Sequence, residues 1–403
     1  MVVAKYKPPP GLTAITNPDT RLDAEVISLL KCHIPVQSEK NVWAYWNSGW
    51  DNMRPWCQRN VLNWVRLLGP EWTVRVLDDV PGSELHFSRH VPASYFPDSF
   101  NKRKLNGTPQ HASDLVRLPL LFIHGGVWID VGMMLFRHVD DICWLSIEDP
   151  ASDYEMMAML MPLRPEPGMI LNGFLATKKG NGMIKRWHDI CCELWKGKTT
   201  AKDSRTHPLL AHLPPVFPQL GTLGSPPWHI STEDLGDWLI HFLAFERLHL
   251  LKDPNDGFDG ADYLSRRMLL FKAEDHVYYA QRITGWDGRK QHNMLATKVS
   301  SSDTSAVSEA KSFVDKILQE TFMMKLGHGP VTGLEILASI WGEEKHQNDD
   351  AAEGTFADYL RYGSVHWQQD SEVVPVQLRR PDKVHVTGLL DPIKIEEESV
   401  ILV

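Results

Sequence analysis

Two short runs carry the residues best suited to chemistry. Ser113-Asp114-Leu115-Val116-Arg117 sets a carboxylate and a guanidinium three residues apart, which puts both on one side of a helix. Gly125-Gly126-Val127-Trp128-Ile129-Asp130 reads as a helix stop, a short apolar strand, and a carboxylate where that strand leaves the sheet. In an open α/β sheet this position faces the crevice that takes ligands. A carboxylate there suits a hard divalent cation such as Mg²⁺, which is held by one or two carboxylates together with phosphate oxygens. An arginine one helix earlier suits a ribose or a phosphate, through its planar fork. Taken singly, each residue also fits a structural role: Asp114 complements a helix N-terminus and pairs with Arg117, and a strand followed by aspartate is common.

The elements that must position these groups follow from periodicity and breakers. Ser113 is a plausible N-cap for a helix whose apolar face is Leu115, Leu118 and Phe122; Pro119 predicts a kink in it or marks its early turns. Upstream, Asn41–Trp46 reads as a buried strand, Pro55–Leu68 as an amphipathic helix with proline in its first turn, and Thr73–Leu77 as a second strand with Asp78 and Asp79 at its exit. This strand–helix–strand run predicts the opening of a Rossmann-like nucleotide-binding half with a right-handed crossover. Residues 80–111 are irregular and predict a small insertion or a lid, with a basic cluster at Lys102, Arg103 and Lys104. Further strands are expected at Met156–Leu160 and from Met169, where Asn172-Gly173 reads equally well as a bulge or turn. The Ser-rich run Val299–Glu309 predicts a linker or mobile loop, and Ala310–Leu326 an amphipathic helix.

The S-D-x-x-R run, followed by G-G-x-x-x-D and D-V-G-M-M, resembles glycosyltransferase family 32 and the related capsular polysaccharide synthesis proteins, above all their fungal members. The resemblance implies that Asp114 and Arg117 hold the sugar and ribose of a nucleotide-sugar donor. It implies that Asp130, as the first carboxylate of a D-x-D motif, helps position the diphosphate and Mn²⁺ or Mg²⁺. The second carboxylate of that motif is Gly132 here, which puts direct metal ligation in doubt. In these families a tryptophan at the end of the first strand stacks on the base; Trp46, followed by Asn47, matches it. Asn172 matches an N-G-x-x-A stretch near the donor sugar or the acceptor. His366-Trp367 matches a late element that closes the cleft over the diphosphate, with the imidazole as a metal ligand or a neutraliser of the leaving phosphate. Trp46 and His366 also fit plain core or surface roles.

Composition narrows the class. The chain has 403 residues, 43% hydrophobic and 23% charged, in the range of a globular protein. Its net charge of −9 argues against a nucleic-acid partner held by a basic surface. Five cysteines without C-x-x-C spacing, no signal-peptide core and no run of 18 apolar residues predict a cytoplasmic protein with no membrane span. No nucleophilic-triad signature, phosphate-binding loop of the G-x-x-x-x-G-K type or H-E-x-x-H motif occurs.

The resulting expectation is an α/β protein with a GT-A-like, Rossmann-type nucleotide-sugar-binding core. It comprises an N-terminal arm (1–40), the core (41–290), a mobile linker (291–309), a helical C-terminal part completing the cleft (310–370) and a tail (371–403). The expected activity is sugar transfer from a nucleotide-sugar to an acceptor hydroxyl of a glycan or small metabolite, with the diphosphate held by Asp130 and Arg117, with or without a divalent metal. The alternatives are a degenerate or repurposed protein of that fold acting on another diphosphate substrate, motivated by Gly132, and a tryptophan-rich interaction module without catalysis.

Overall fold

Strands β1 (Asn41–Tyr45) and β3 (Gly126–Ile129) are buried at every position, and β2 (Thr73–Leu77) at all but its first, so no polar face alternates with an apolar one. That pattern belongs to a sheet covered on both sides. In the computed structural model they are neighbours in a six-stranded sheet with β4 (Met156–Met161), β5 (Met169–Thr177) and β6 (Met268–Lys272), in the order β2-β1-β3-β5-β4-β6. The structure describes residues 4–102, 109–161, 163, 169–214, 216, 231–327 and 335–393. Strand β1 runs parallel to both β2 and β3, β5 runs antiparallel to β3 and β4, and β6 is parallel to β4. The fold is therefore mixed α/β, with one reversed strand in an otherwise parallel sheet. The C-terminal ends of β1, β2 and β3 share one edge, and Asn47, Asp79 and Asp130 follow them there.

Helix α1 (Pro55–Leu68) begins on its proline and buries Trp56, Val61 and Trp64. Helix α2 (Pro109–His124) runs through Pro119 without ending. Leu118, Leu120 and Leu121 around the proline are fully buried, and that packing outweighs the missing backbone hydrogen bond. Of the basic cluster before α2, Arg103 and Lys104 lie outside the described residues. The turn from α2 into β3 needs glycine: Gly126 has φ +99°, and a Cβ there would sit 2.4 Å from the Asn41 carbonyl oxygen. Helices α3 (Gly182–Leu194) and α4 (Ile240–His249) pack with α2 and β5 over one side of the sheet.

The C-terminal third corrects two expectations. The Ser-rich stretch is no mobile linker: a helix spans Gly288–Ala296, and Asp303 caps α5 (Thr304–Glu320) by accepting from the Ala306 amide at 3.0 Å. Helix α5 stops at Glu320 rather than reaching Leu326. Met323–Lys325 instead pair antiparallel with Met133–Leu135, with Lys325 opposite Met133. That short buried strand, three residues past Asp130, takes them as its partner. Helix α6 (Phe356–His366) packs on α1 and α5. Residues 371–393 are tied to the body through buried Arg247, which donates to the carbonyls of Gly388, Leu389 and Asp391.

Several histidines are buried and neutral. Burial pushes His188 and His249 down to about 4, and His241 well below its ordinary value. The unfolded chain binds protons at these sites near pH 6.5 while the folded chain does not, so stability falls as pH drops below 6.5. At pH 5 His188 and His249 should each withdraw about 1–2 kcal/mol. Thermal scans from pH 7 to pH 5 should show the melting temperature falling by roughly 3–5 °C.

Candidate active site

At the sheet edge four of the residues singled out in the sequence meet. The Arg117 guanidinium lies 2.8 Å from Asp114 Oδ1 and 3.6 Å from Asp130 Oδ1. It donates to the Asn172 carbonyl and, at 3.0 Å, to Ser113 Oγ, and its face sits 4.8 Å over the Trp128 ring. Only 4% of its side chain is exposed. Arg117 is thus committed on every side and works as the pin that fixes α2 to β3 and β5, rather than as a group reaching a phosphate.

Asn172 sits where the β4–β5 register shifts: Leu175 faces Ala158 and Leu171 faces Met159. The bulge re-aims its side chain. Its Nδ2 donates to Asp114 Oδ1 at 2.9 Å and contacts Nδ1 of His241, from the start of α4, at 3.0 Å. The neutral imidazole accepts there. Asp130 follows β3, with its amide donating to the Gly173 carbonyl at 2.9 Å. Its Oδ1 accepts from Trp128 Nε1 at 2.9 Å, and its Oδ2 from Lys325 Nζ at 3.0 Å. A quarter of the Asp130 side chain and 15% of Lys325 remain exposed, so the pair keeps some contact with solvent. Lys325 escaped the sequence reading because it was placed inside a helix; only its pairing with Met133, nearly two hundred residues away, brings it here.

Environment separates the two carboxylates. Burial pushes Asp114 above the usual carboxylate range despite Arg117. Burial acts the same way on Asp130, but Lys325 and Arg117 outweigh it and hold that carboxyl below its ordinary value. Burial acts to lower Lys325, but Asp130 and Tyr278 together outweigh it and hold the ammonium above its ordinary value. The pair is therefore ionised throughout the neutral range.

The other expected residues lie differently. Asn47 lines a cleft of about 340 Å³ beyond the ends of β1 and β2, with Tyr45, Asp79, Phe87, Phe96 and Ala112. Trp46 is partly buried, donates through its indole to the Asn52 carbonyl at 3.2 Å, and does not line this cleft. His366 and Trp367 are not at the cleft. His366 stacks on Tyr362 at 3.9 Å, bonds that residue's carbonyl through Nδ1, and accepts from the Ile15 amide through its own carbonyl; Trp367 is buried and pairs with Ala14. Both pack the N-terminal arm onto α6.

The residues around Asp130 fit a divalent ion poorly. Both carboxylate oxygens already accept from fixed donors, Gly132 offers no oxygen side chain, and His366 is elsewhere. Among the described residues, three potential metal-ligating side chains converge at His292, His346 and Asp349, away from Asp130. There both imidazoles bond Asp349 Oδ2, at 2.9 and 2.7 Å.

Two substitutions test this construction. A Cβ at Gly173 would lie 2.5 Å from Asp130 Oδ2 and 3.0 Å from Lys325 Nζ, both at the ends of side chains that can shift. Gly173→Ala should therefore displace the pair, lowering activity by about 10-fold or more while the melting temperature moves by only about 2 °C. Arg117→Ala leaves buried Asp114 without its cation, with only the Asn172 amide as partner, and should cost about 3–5 kcal/mol in denaturant unfolding.

Residues 25–204 match the family model described as capsular polysaccharide synthesis protein. O-glycosyltransferase braB of Annulohypoxylon truncatum is 46% identical over 96% of this chain and 94% of its own. Glycosyltransferase afumC of Aspergillus fumigatus is 42% identical over 88% of this chain and 92% of its own. O-glycosyltransferase PaGT of Phomopsis amygdali is 37% identical over 96% and 98%. Among solved structures, PaToxG Glycosyltransferase shares 15% identity over 45% of this chain and 70% of that one, with a TM-score of 0.29, too weak a likeness to bear on the fold. With relatives this similar along nearly its whole length, the chain belongs to the capsular polysaccharide synthesis protein family and is a glycosyltransferase.

Proposed function

We propose that the protein moves a sugar from a nucleotide-sugar donor to a hydroxyl of its acceptor, on a GT-A-like core whose cleft the C-terminal part completes. The observation that carries this reading is the shared edge. The cleft lined by Tyr45, Asn47, Asp79 and Phe87 and the charged group of Asp114, Asn172, Asp130 and Lys325 lie toward the same end of the sheet, where β1, β2 and β3 run out. A nucleotide-sugar has the same division: a flat base and ribose at one end, a diphosphate and a hydroxyl-rich sugar at the other. A cleft of about 340 Å³ is at the lower end of the range for small-ligand sites and suits a nucleoside.

In this arrangement Tyr45, Asn47 and Asp79 flank the nucleoside. Asp114 and Asn172, pinned by Arg117, offer carboxylate and amide oxygens that accept from the sugar hydroxyls. Asp130 and its cation stand at the diphosphate, where negative charge grows as the sugar departs. The relatives named as O-glycosyltransferases support an oxygen nucleophile on the acceptor.

The test is a screen of UDP- and GDP-sugars for slow donor hydrolysis. One family of donors should release its nucleoside diphosphate above background, and Asp130→Asn should reduce that release by about 100-fold. No release from any donor, with no nucleotide binding at millimolar concentration, contradicts the reading.

A further inference from the structure

We infer that the Lys325 ammonium is the cation that receives the departing diphosphate, and that transfer by this protein needs no divalent metal. The inference rests on the nucleotide-sugar reading above and specifies what that reading leaves open.

Four observations converge on it. First, both oxygens of Asp130 are already engaged: Lys325 Nζ lies 3.0 Å from Oδ2, while Oδ1 accepts from Trp128 and faces Arg117. Second, Lys325 is not a long side chain that happens to reach over. Its backbone is fixed from two directions, by pairing with Met133 and by a 3.1 Å bond from its amide to the Val277 carbonyl. Third, the surface beneath is pared to glycine: any side chain at position 173 would meet both the carboxylate and the ammonium. Fourth, the D-x-D pattern breaks at Gly132. Among the described residues a Cβ there would make only ordinary 3.8 Å contacts, with the Gly327 amide and the Trp56 ring. The second carboxylate of the pattern is thus absent beside a lysine that supplies positive charge to Asp130 directly.

The chemistry is complete without a further group. An ammonium carries three N–H donors, and among the described residues the side chain of Lys325 spends one on Asp130. The others are available to phosphate oxygens at the exposed face. During transfer the bond between the sugar C1 and the phosphate oxygen breaks, with its electron pair going to the diphosphate. The acceptor oxygen bonds C1, and its proton passes to the leaving diphosphate or to water. Lys325 stays protonated throughout and stabilises the charge on the leaving oxygen. Asp130 keeps it charged and aimed, as a positioning residue. This inverts the role that the D-x-D resemblance implies for Asp130, from metal ligand to partner of a fixed cation.

Titration calorimetry of the full chain tests the assignment, using UDP and GDP alongside uridine and guanosine, in EDTA and in Mn²⁺. The wild-type protein should bind its nucleoside diphosphate with affinities within about threefold in the two buffers. Lys325→Ala should weaken that binding by about 10- to 100-fold while changing nucleoside binding by less than about threefold. Lys325→Gln, which keeps the stem, serves the same comparison if the alanine variant does not fold. Binding that requires Mn²⁺ overturns the assignment and leaves the donor reading standing, as does a Lys325 variant that binds the diphosphate normally. Failure of both nucleoside diphosphates to bind in either buffer overturns the donor reading itself, and the assignment with it.

Discussion

The site depends on charge balance at the edge of the sheet. Two carboxylates, Asp114 and Asp130, and two cations, Arg117 and Lys325, lie in mutual contact with little solvent among them. Removing an isolated charge from water costs several kcal/mol, so none of the four is tolerable alone. Together they offset one another, and the hydrogen bonds from Asn172, Ser113 and Trp128 set their orientation. The consequence is preorganisation: the groups that would meet a donor are already aimed and charged before it arrives.

Backbone features hold this balance in place. The glycine turn before β3 delivers Asp130 at the right depth, the β4–β5 bulge turns Asn172 toward Asp114, and the side-chain-free Gly173 leaves room for the Asp130–Lys325 pair. The short pairing of Met133–Leu135 with Met323–Lys325 ties the C-terminal third to the strand exit. The late part of the chain therefore contributes one of the four charges.

What could be read from the sequence follows from distance along the chain. Asp114, Arg117 and Asp130 sit in one contiguous helix–turn–strand run, so local periodicity was enough to bring them together. Strands β1 to β5 were visible as short apolar runs bounded by turn residues. The Asn172-Gly173 pair is legible as a bulge, which the β4–β5 register shift bears out, and the structure sets Asn172 beside Asp114. Lys325 was not legible, because its position depends on a strand pairing that no local pattern announces. The same pairing explains why a helix was expected to continue to Leu326. The Ser-rich stretch misled because its composition resembles a linker, whereas Asp303 makes it the cap of a long helix. His366 was chosen for its neighbour Trp367, and both are instead consumed in packing the N-terminal arm.

The central claim is that this balanced group, with Lys325 at its open side, holds the diphosphate of an activated sugar. The most direct measurement is a crystal structure of the protein with its nucleoside diphosphate, grown in EDTA. The account predicts phosphate oxygens within hydrogen-bond distance of Lys325 Nζ and the base in the cleft beside Tyr45 and Asn47. Phosphates bound away from Lys325, or a base lodged outside that cleft, would contradict it.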